Sequence, residues 1–403
     1  MISSRKSLSK FKSELLDILE HNILEFWLNK TPDLKNGGFF GLINEGNKPV
    51  ESSSKGVVLN TRILWTFSAS YNYFKSEKYK ILADRAYQYI CDFFVDKKHG
   101  GVFWELDFKG NPINTRKQVY AQAFTIYSFA EYYKVSGQKD SLERAIAIYR
   151  LIEKHSFDSI KGGYLEAFKD DWSAIEDFRL SEKDLNAPKT MNTHLHILEA
   201  YTNLYKVWKD KGLQESLRNL IILFLDKFLD HRGHLILFFD TNWKPIEDFC
   251  SYGHDIEFSW LLNEAALVLG DTDLIARTSA TAVNIANIIN SEAIAKDGGI
   301  MNEYNYSSHH LDADKHWWQQ AEAMVGFFNA WQISKDEKFL DSMLNVWAFI
   351  DRNIVDHQNG EWFWKVDCFG KVYPEMEKAG FWKCPYHNSR AVLELVGRID
   401  KEF

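Results

Sequence analysis

Three histidines, His196, His254 and His387, stand with Arg62 near the starts of apolar, aromatic-rich stretches of this chain. The segment SYGHDIEFSWLL, residues 251–262, shows the pattern: His254, Asp255 and Glu257 precede and interrupt Phe258, Trp260, Leu261 and Leu262. Side chains of that size seek burial, and a buried histidine beside two acids is costly unless its polar atoms are satisfied. Histidine is also the natural general base near neutral pH, with an ordinary pKa of about 6.5. Two histidines flanking one carbon can take a proton from one face and return one to the other. An arginine and a third histidine can hold the enediolate formed between the two steps.

Tyr120, Gln122, Asn192, Trp317, Gln320, Glu322 and Arg390 fall at the starts of similar stretches. Helix capping alone does not account for them, because caps favour Ser, Thr, Asp and Asn. Two other chemistries remain open on residue types. Glu257 and Glu322 could flank a scissile glycosidic bond as the carboxylate pair of an inverting glycosidase. His254 and Glu257, three apart, could share a metal with His196 and His387. Arg62 in the same cavity would repel a cation, so the expectation is no metal.

These residues need a scaffold, and the sequence supplies it by repetition. Gly37, Gly100, Gly162, Gly233, Gly298 and Gly360 each precede aromatic or β-branched residues, as in NGGFFG, HGGVFW and DGGIMNEY. The intervals are 63, 62, 71, 65 and 62 residues. Turn sequences such as DFKGNP, DTNWKP and DCFGKVYP follow, predicting short β-hairpins. Each glycine motif is followed by an apolar helical stretch, at 57–75, 117–135, 190–208, 253–269, 316–333 and 386–399. Each is preceded by a more amphipathic one, at 6–29, 79–97, 140–156, 214–230, 272–291 and 337–355. Twelve helices in six pairs predict an all-α protein, a single (α/α)6 barrel spanning 1–403. The amphipathic set forms its outer ring. An open solenoid would need polar end caps that are absent here.

Composition narrows the partners. The formal net charge of −8 disfavours nucleic acid and anionic membranes. No apolar run is long enough to span a bilayer. The four cysteines, Cys91, Cys250, Cys368 and Cys384, lack metal spacing and suit a reducing, cytoplasmic setting. The 14 Trp, 18 Tyr and 29 Phe offer faces on which sugars stack. Trp382, before the sixth apolar helix, is one such face. The longest interval contains KDDWSAIEDFRLSEKDLNAPK, 169–189, which reads either as an exposed acidic loop or as a lid whose Asp184 reaches a sugar hydroxyl. SSHHLDADKH at 307–316 lacks fixed ligand spacing.

Six segments at six equivalent places resemble the N-acylglucosamine 2-epimerase superfamily, and within it the cellobiose 2-epimerases. They are NTRILWTFS (60–68), YAQAFTIYSFAEYY (120–133), MNTHLHILEAY (191–201), YGHDIEFSWLL (252–262), KHWWQQAEAMVGF (315–327) and GFWKCPYHNSRAVLEL (380–395). The resemblance implies the same barrel and a cofactor-free isomerase. Its reaction is epimerisation at C2 of the reducing-end unit of a β-1,4-linked disaccharide such as cellobiose or lactose, through ring opening and a cis-enediolate. It implies His254 and His387 as acid/bases, and Arg62 and His196 as groups that assist ring opening and hold the enediolate. Tyr120, Asn192, Asp184, Glu257, Trp317 and Trp382 are expected to bind the sugar, the partner being this small molecule and the protein a monomer or weak homodimer. Phe258 departs from the pattern, where a smaller residue is expected. That leaves a reshaped pocket, and free mannose or glucose as substrate, open.

Overall fold

The structure, a computed structural model, describes residues 2–402, with side chains from residue 8 onward. Met1 and Phe403, the ends of the expected 1–403 unit, lie outside the described residues. The inner ring is α3 (Val57–Phe74), α5 (Val119–Ser136), α7 (Met191–Val207), α9 (Tyr252–Leu269), α11 (Trp317–Ser334) and α13 (Tyr386–Glu402). Each packs on the next, and α13 packs back on α3, so the ring closes. The outer ring is α1 (Ile2–Asp17) continued by α2 (Glu25–Lys30), then α4 (Glu77–Tyr89), α6 (Lys139–His155), α8 (Lys211–Leu223), α10 (Thr272–Glu292) and α12 (Glu337–Phe349). Helix α1 packs on α13, joining the two ends of the chain as the repeat predicts.

The two rings differ as their sequences do. Helix α5 buries every residue from Val119 to Tyr132. Helix α8 buries Leu213, Leu217, Leu220 and Ile221, one stripe at helical spacing. The expected outer boundaries at 97, 230 and 355 overrun the regular helix: α4, α8 and α12 each end in a wider π turn, Ile90–Phe94, Phe224–Phe228 and Ile350–Ile354. No described helix is long and apolar enough to cross a membrane.

The short strands do more than form hairpins. Hairpins are present, as in Glu303–Asn305 against His310–Asp312. The residues entering an inner helix also pair with the following repeat: Lys55–Gly56 with Glu105–Leu106, and Lys117–Gln118 with Ala167–Phe168. Successive repeats are thus stitched together at the end where the inner helices begin.

Two sets of buried polar residues repeat around this rim. Lys55, Lys117, Lys189 and Lys315 stand two residues before an inner helix and pair with Asp33, Asp96, Asp158 and Asp297 of the preceding turns. Removing one partner costs about 3–5 kcal/mol for the fully buried pairs Lys55–Asp33 and Lys117–Asp96. The fourth residue of the inner helix then pins the glycine turn: Gln122, His194, Asp255 and Gln320 accept the backbone N–H of Val102, Tyr164, Leu235 and Ile300. A Cβ on Gly101 would stand 2.6 Å from Gln122 Oε1, and one on Gly163 would stand 2.8 Å from His194 Nε2. Glycine is required where the pin comes that close.

Candidate active site

Because all six inner helices start at the stitched rim, their first turns face one another. They enclose a cavity of about 330 Å³ lined by Arg62, Tyr120, Asn192, His196, His254, Glu257, Trp317, Trp382 and His387. A second cavity of about 520 Å³ adjoins it, and Lys183, Asn192 and His254 line both. Asp184, Phe178, Phe249 and Glu303 belong to the second cavity.

The Trp318 indole packs against both expected acid/bases. Its ring centre is 4.8 Å from that of His254 and 5.6 Å from that of His387. His254 Nδ1 lies 2.8 Å from Ser251 Oγ, and His387 Nδ1 lies 2.7 Å from Glu322 Oε1. Burial disfavours the charged form of both rings. His254 is held below its ordinary pKa by burial and by His196, and His387 well below by burial, Arg62 and Arg390. Both are therefore neutral near pH 7.

Arg62 donates to Tyr120 Oη at 2.6 Å and to Cys384 Sγ at 3.6 Å, while its buried Nε–H has no acceptor among the described residues. Its guanidinium lies 4.3 Å from the Phe124 ring centre. A planar cation packed between aromatic faces with an unused donor is suited to receive an oxyanion. Asn192 Oδ1 and Trp317 Nε1 are also buried without partners among the described residues.

Arg390 gathers three carboxylates, of which Glu257 lines the cavity. Its Nη2 is 2.6 Å from Glu257 Oε1 and 2.6 Å from Glu322 Oε1, and its Nη1 meets Glu199 Oε1 and Tyr386 Oη. Burial, the neighbouring Glu322 carboxylate and Glu199 push Glu257 up to about 7, against the pull of Arg390 and His196. Burial raises Glu322 as well, with Arg390 opposing it. For Glu199 the balance is reversed: Arg390 and His196 overcome burial and hold it at about 2. Arg62 and Arg390 carry two positive charges against three carboxylates, so one proton resting in the Glu257–Glu322 pair leaves the buried cluster neutral.

The family pattern of N-acylglucosamine 2-epimerase (GlcNAc 2-epimerase) matches residues 38–391, nearly the whole chain. The chain belongs to the N-acylglucosamine 2-epimerase family. It is 47% identical over 387 residues to a cellobiose 2-epimerase of Bacteroides fragilis, covering 96% of this chain and 98% of that one. It is 41% identical to a cellobiose 2-epimerase of Dictyoglomus turgidum, covering 97% and 100%. The solved structure of cellobiose 2-epimerase from Bacillus thermoamylovorans superposes with a TM-score of 0.93 at 40% identity, covering 97% and 100%. As an N-acylglucosamine 2-epimerase family member with these relatives, the protein is a carbohydrate epimerase or isomerase.

Within this family member, nine of the ten residues singled out for the site line the cavity between the histidines. Asp184 stands apart in the second cavity, where its Oδ2 takes hydrogen bonds from Ser181 N at 2.8 Å and Ser181 Oγ at 3.0 Å. The loop residue reaching the first cavity is Lys183.

Two expectations are corrected, and the place of Asp255 is settled. Gln122 and Gln320 start inner helices but are pins, each bonding both the N–H and the C=O of one turn residue. Asp255, next to His254, faces away and holds Leu235 N at 2.8 Å and His234 Nδ1 at 2.7 Å. Phe258 does not reshape the pocket, since it packs outward on Phe224 with ring centres 5.1 Å apart.

The carboxylate pair of a glycosidase also finds no support, because Arg390 bridges Glu257 and Glu322 and only Glu257 lines the cavity. The metal ligand set is not assembled as expected either. His387 groups with Glu257 and Glu322, not with His254, and Arg390 already pairs with both carboxylates.

Sequence reasoning missed Trp318, Lys183, Trp364, His316 and Met376, all of which line the cavity. Trp318 carried a signal, as the second residue of the tryptophan pair opening α11.

Proposed function

We propose that the protein interconverts glucose-type and mannose-type units at the reducing end of β-1,4-linked disaccharides such as cellobiose and lactose. The observation that carries this reading is that His254 and His387 both pack against Trp318 and line one cavity with Arg62. In the open-chain sugar one histidine removes the C2 proton, and Arg62 with His196 holds the charge that develops on O1 and O2. The other histidine returns a proton to the opposite face. The proton taken from C2 leaves on the first ring, so the returning ring must enter as imidazolium. His387 draws on the proton that the adjacent Glu257–Glu322 pair holds near neutrality, and His254 takes its proton from water. Trp317, Trp382, Tyr120 and Asn192 fix the reducing-end ring.

The joined second cavity supports a disaccharide over free mannose or glucose, since a second ring fits where Asp184 and Phe249 line the wall. The same reading has one catalytic unit, 1–403, acting without cofactor as a monomer or weak homodimer in the cytoplasm. The four cysteines are free, which suits that compartment. Incubation with cellobiose in D2O, followed at C2 by NMR, tests the reaction. Deuterium at C2 and growth of the mannose-type unit are expected, and an unchanged spectrum would overturn the reading.

A further inference from the structure

The geometry points to Glu199 and Arg390 as positioning residues that fix the tautomers of His196 and His387 together. This rests on the histidine reading above. Neither residue lines the cavity that holds the histidines.

The connection is a continuous run of buried hydrogen bonds across three helices. His196 Nδ1 lies 2.9 Å from Glu199 Oε2. The other oxygen of Glu199 accepts from Arg390 Nη1 and from Tyr386 Oη. Arg390 Nη2 donates to Glu322 Oε1 at 2.6 Å, and that same oxygen lies 2.7 Å from His387 Nδ1. No residue along the run is more than 7% exposed.

The direction of each bond follows from the donors available. Arginine donates only, so the Glu199 and Glu322 oxygens that it meets are acceptors. His387 faces that same Glu322 oxygen, while His196 faces the second oxygen of Glu199, a carboxylate that Arg390 helps to keep ionised. The favourable arrangement for each histidine is therefore to donate its Nδ1–H. Nε2 is then left with its lone pair, the form in which a ring can accept a proton or a sugar hydroxyl hydrogen bond. One guanidinium thus sets two rings on α7 and α13. A lysine cannot replace it, because a single ammonium lacks the planar fork that reaches Glu199 on one side and Glu322 on the other.

Nitrogen-15 NMR of the histidine rings tests this at neutral pH. In the unaltered protein His196 and His387 are both expected as Nδ1–H tautomers. Either ring found as Nε2–H overturns the inference without any variant. In Glu199→Gln the amide oxygen stays with Arg390 and Tyr386, so the amide NH2 faces His196. His196 is then expected to switch to Nε2–H while His387 keeps its tautomer. The kcat should fall about 10- to 100-fold, the usual cost of losing a partner that orients a functional histidine, with KM within about twofold. In Arg390→Lys both rings should lose the single-tautomer signal. A folded Glu199→Gln protein with an unchanged His196 tautomer, or with unchanged kcat, overturns the inference. If the unaltered protein exchanges no C2 hydrogen, the epimerase reading fails instead, and the two failures are told apart.

Discussion

His387 Nδ1 and Arg390 Nη2 share one acceptor, the Oε1 atom of Glu322, at 2.7 and 2.6 Å. The residue proposed to move the proton and the cation that neutralises its surroundings therefore meet at one oxygen. His254, whose Nδ1 faces only Ser251 Oγ at 2.8 Å, has no such carboxylate. The two histidines are chemically unequal although they face the same cavity, and the predictions exploit that inequality.

Each epimer carries its C2 hydrogen on a different face, so each is deprotonated by a different histidine. His254→Asn and His387→Asn should both abolish epimerisation. Each should retain exchange of C2 hydrogen with D2O in one epimer, and the two variants should prefer opposite epimers. Exchange of both epimers by both variants would remove these residues from the acid/base roles.

The pH profile should not break at the ordinary histidine value of about 6.5. Burial holds both rings below that value, so the neutral, base-competent form persists as pH falls and the acid limb lies lower. On the alkaline side, the proton stored near Glu257 is lost as pH rises through about 7, and the rate should fall there. Glu257→Gln cannot titrate and should lack that alkaline limb. An unaltered limb in Glu257→Gln would place the stored proton elsewhere.

Arg62→Lys keeps the charge but loses the planar fork and its unused Nε–H. A drop in kcat of about 100-fold is expected, similar to losing one oxyanion donor, with a smaller change in KM. Near-normal turnover would reduce Arg62 to a packing partner of Phe124.

Chelation by EDTA should leave the rate unchanged, because Arg390 already pairs with Glu257 and Glu322. A loss restored by a divalent ion would return those carboxylates and His387 to a metal role.

Gln320→Leu separates scaffold from site. It leaves the buried Ile300 N–H and C=O unpaired, which should cost about 1–3 kcal/mol in denaturant unfolding. The kcat of the folded fraction should stay near that of the unaltered protein. A selective loss of kcat at unchanged stability would mean that Gln320 serves the reaction.

The sequence by itself determined the repeat, the two helix sets and the end of the barrel at which chemistry gathers. These follow from local periodicity: apolar residues on all sides place a helix inside, and a single stripe places it outside. The motif residues Arg62, His196, His254 and His387 were legible because all stand in the first two turns of inner helices. Which neighbour faces the cavity was not legible. In a helix of 3.6 residues per turn, one step rotates the side chain by about 100°. His254 therefore lines the cavity while Asp255 pins Leu235, and His196 lines it while His194 pins Tyr164. Only the tertiary structure decided that Arg390 meets Glu199, Glu257 and Glu322 from three other helices. Those contacts join residues far apart in the chain, and it is barrel closure that brings them within hydrogen-bond reach.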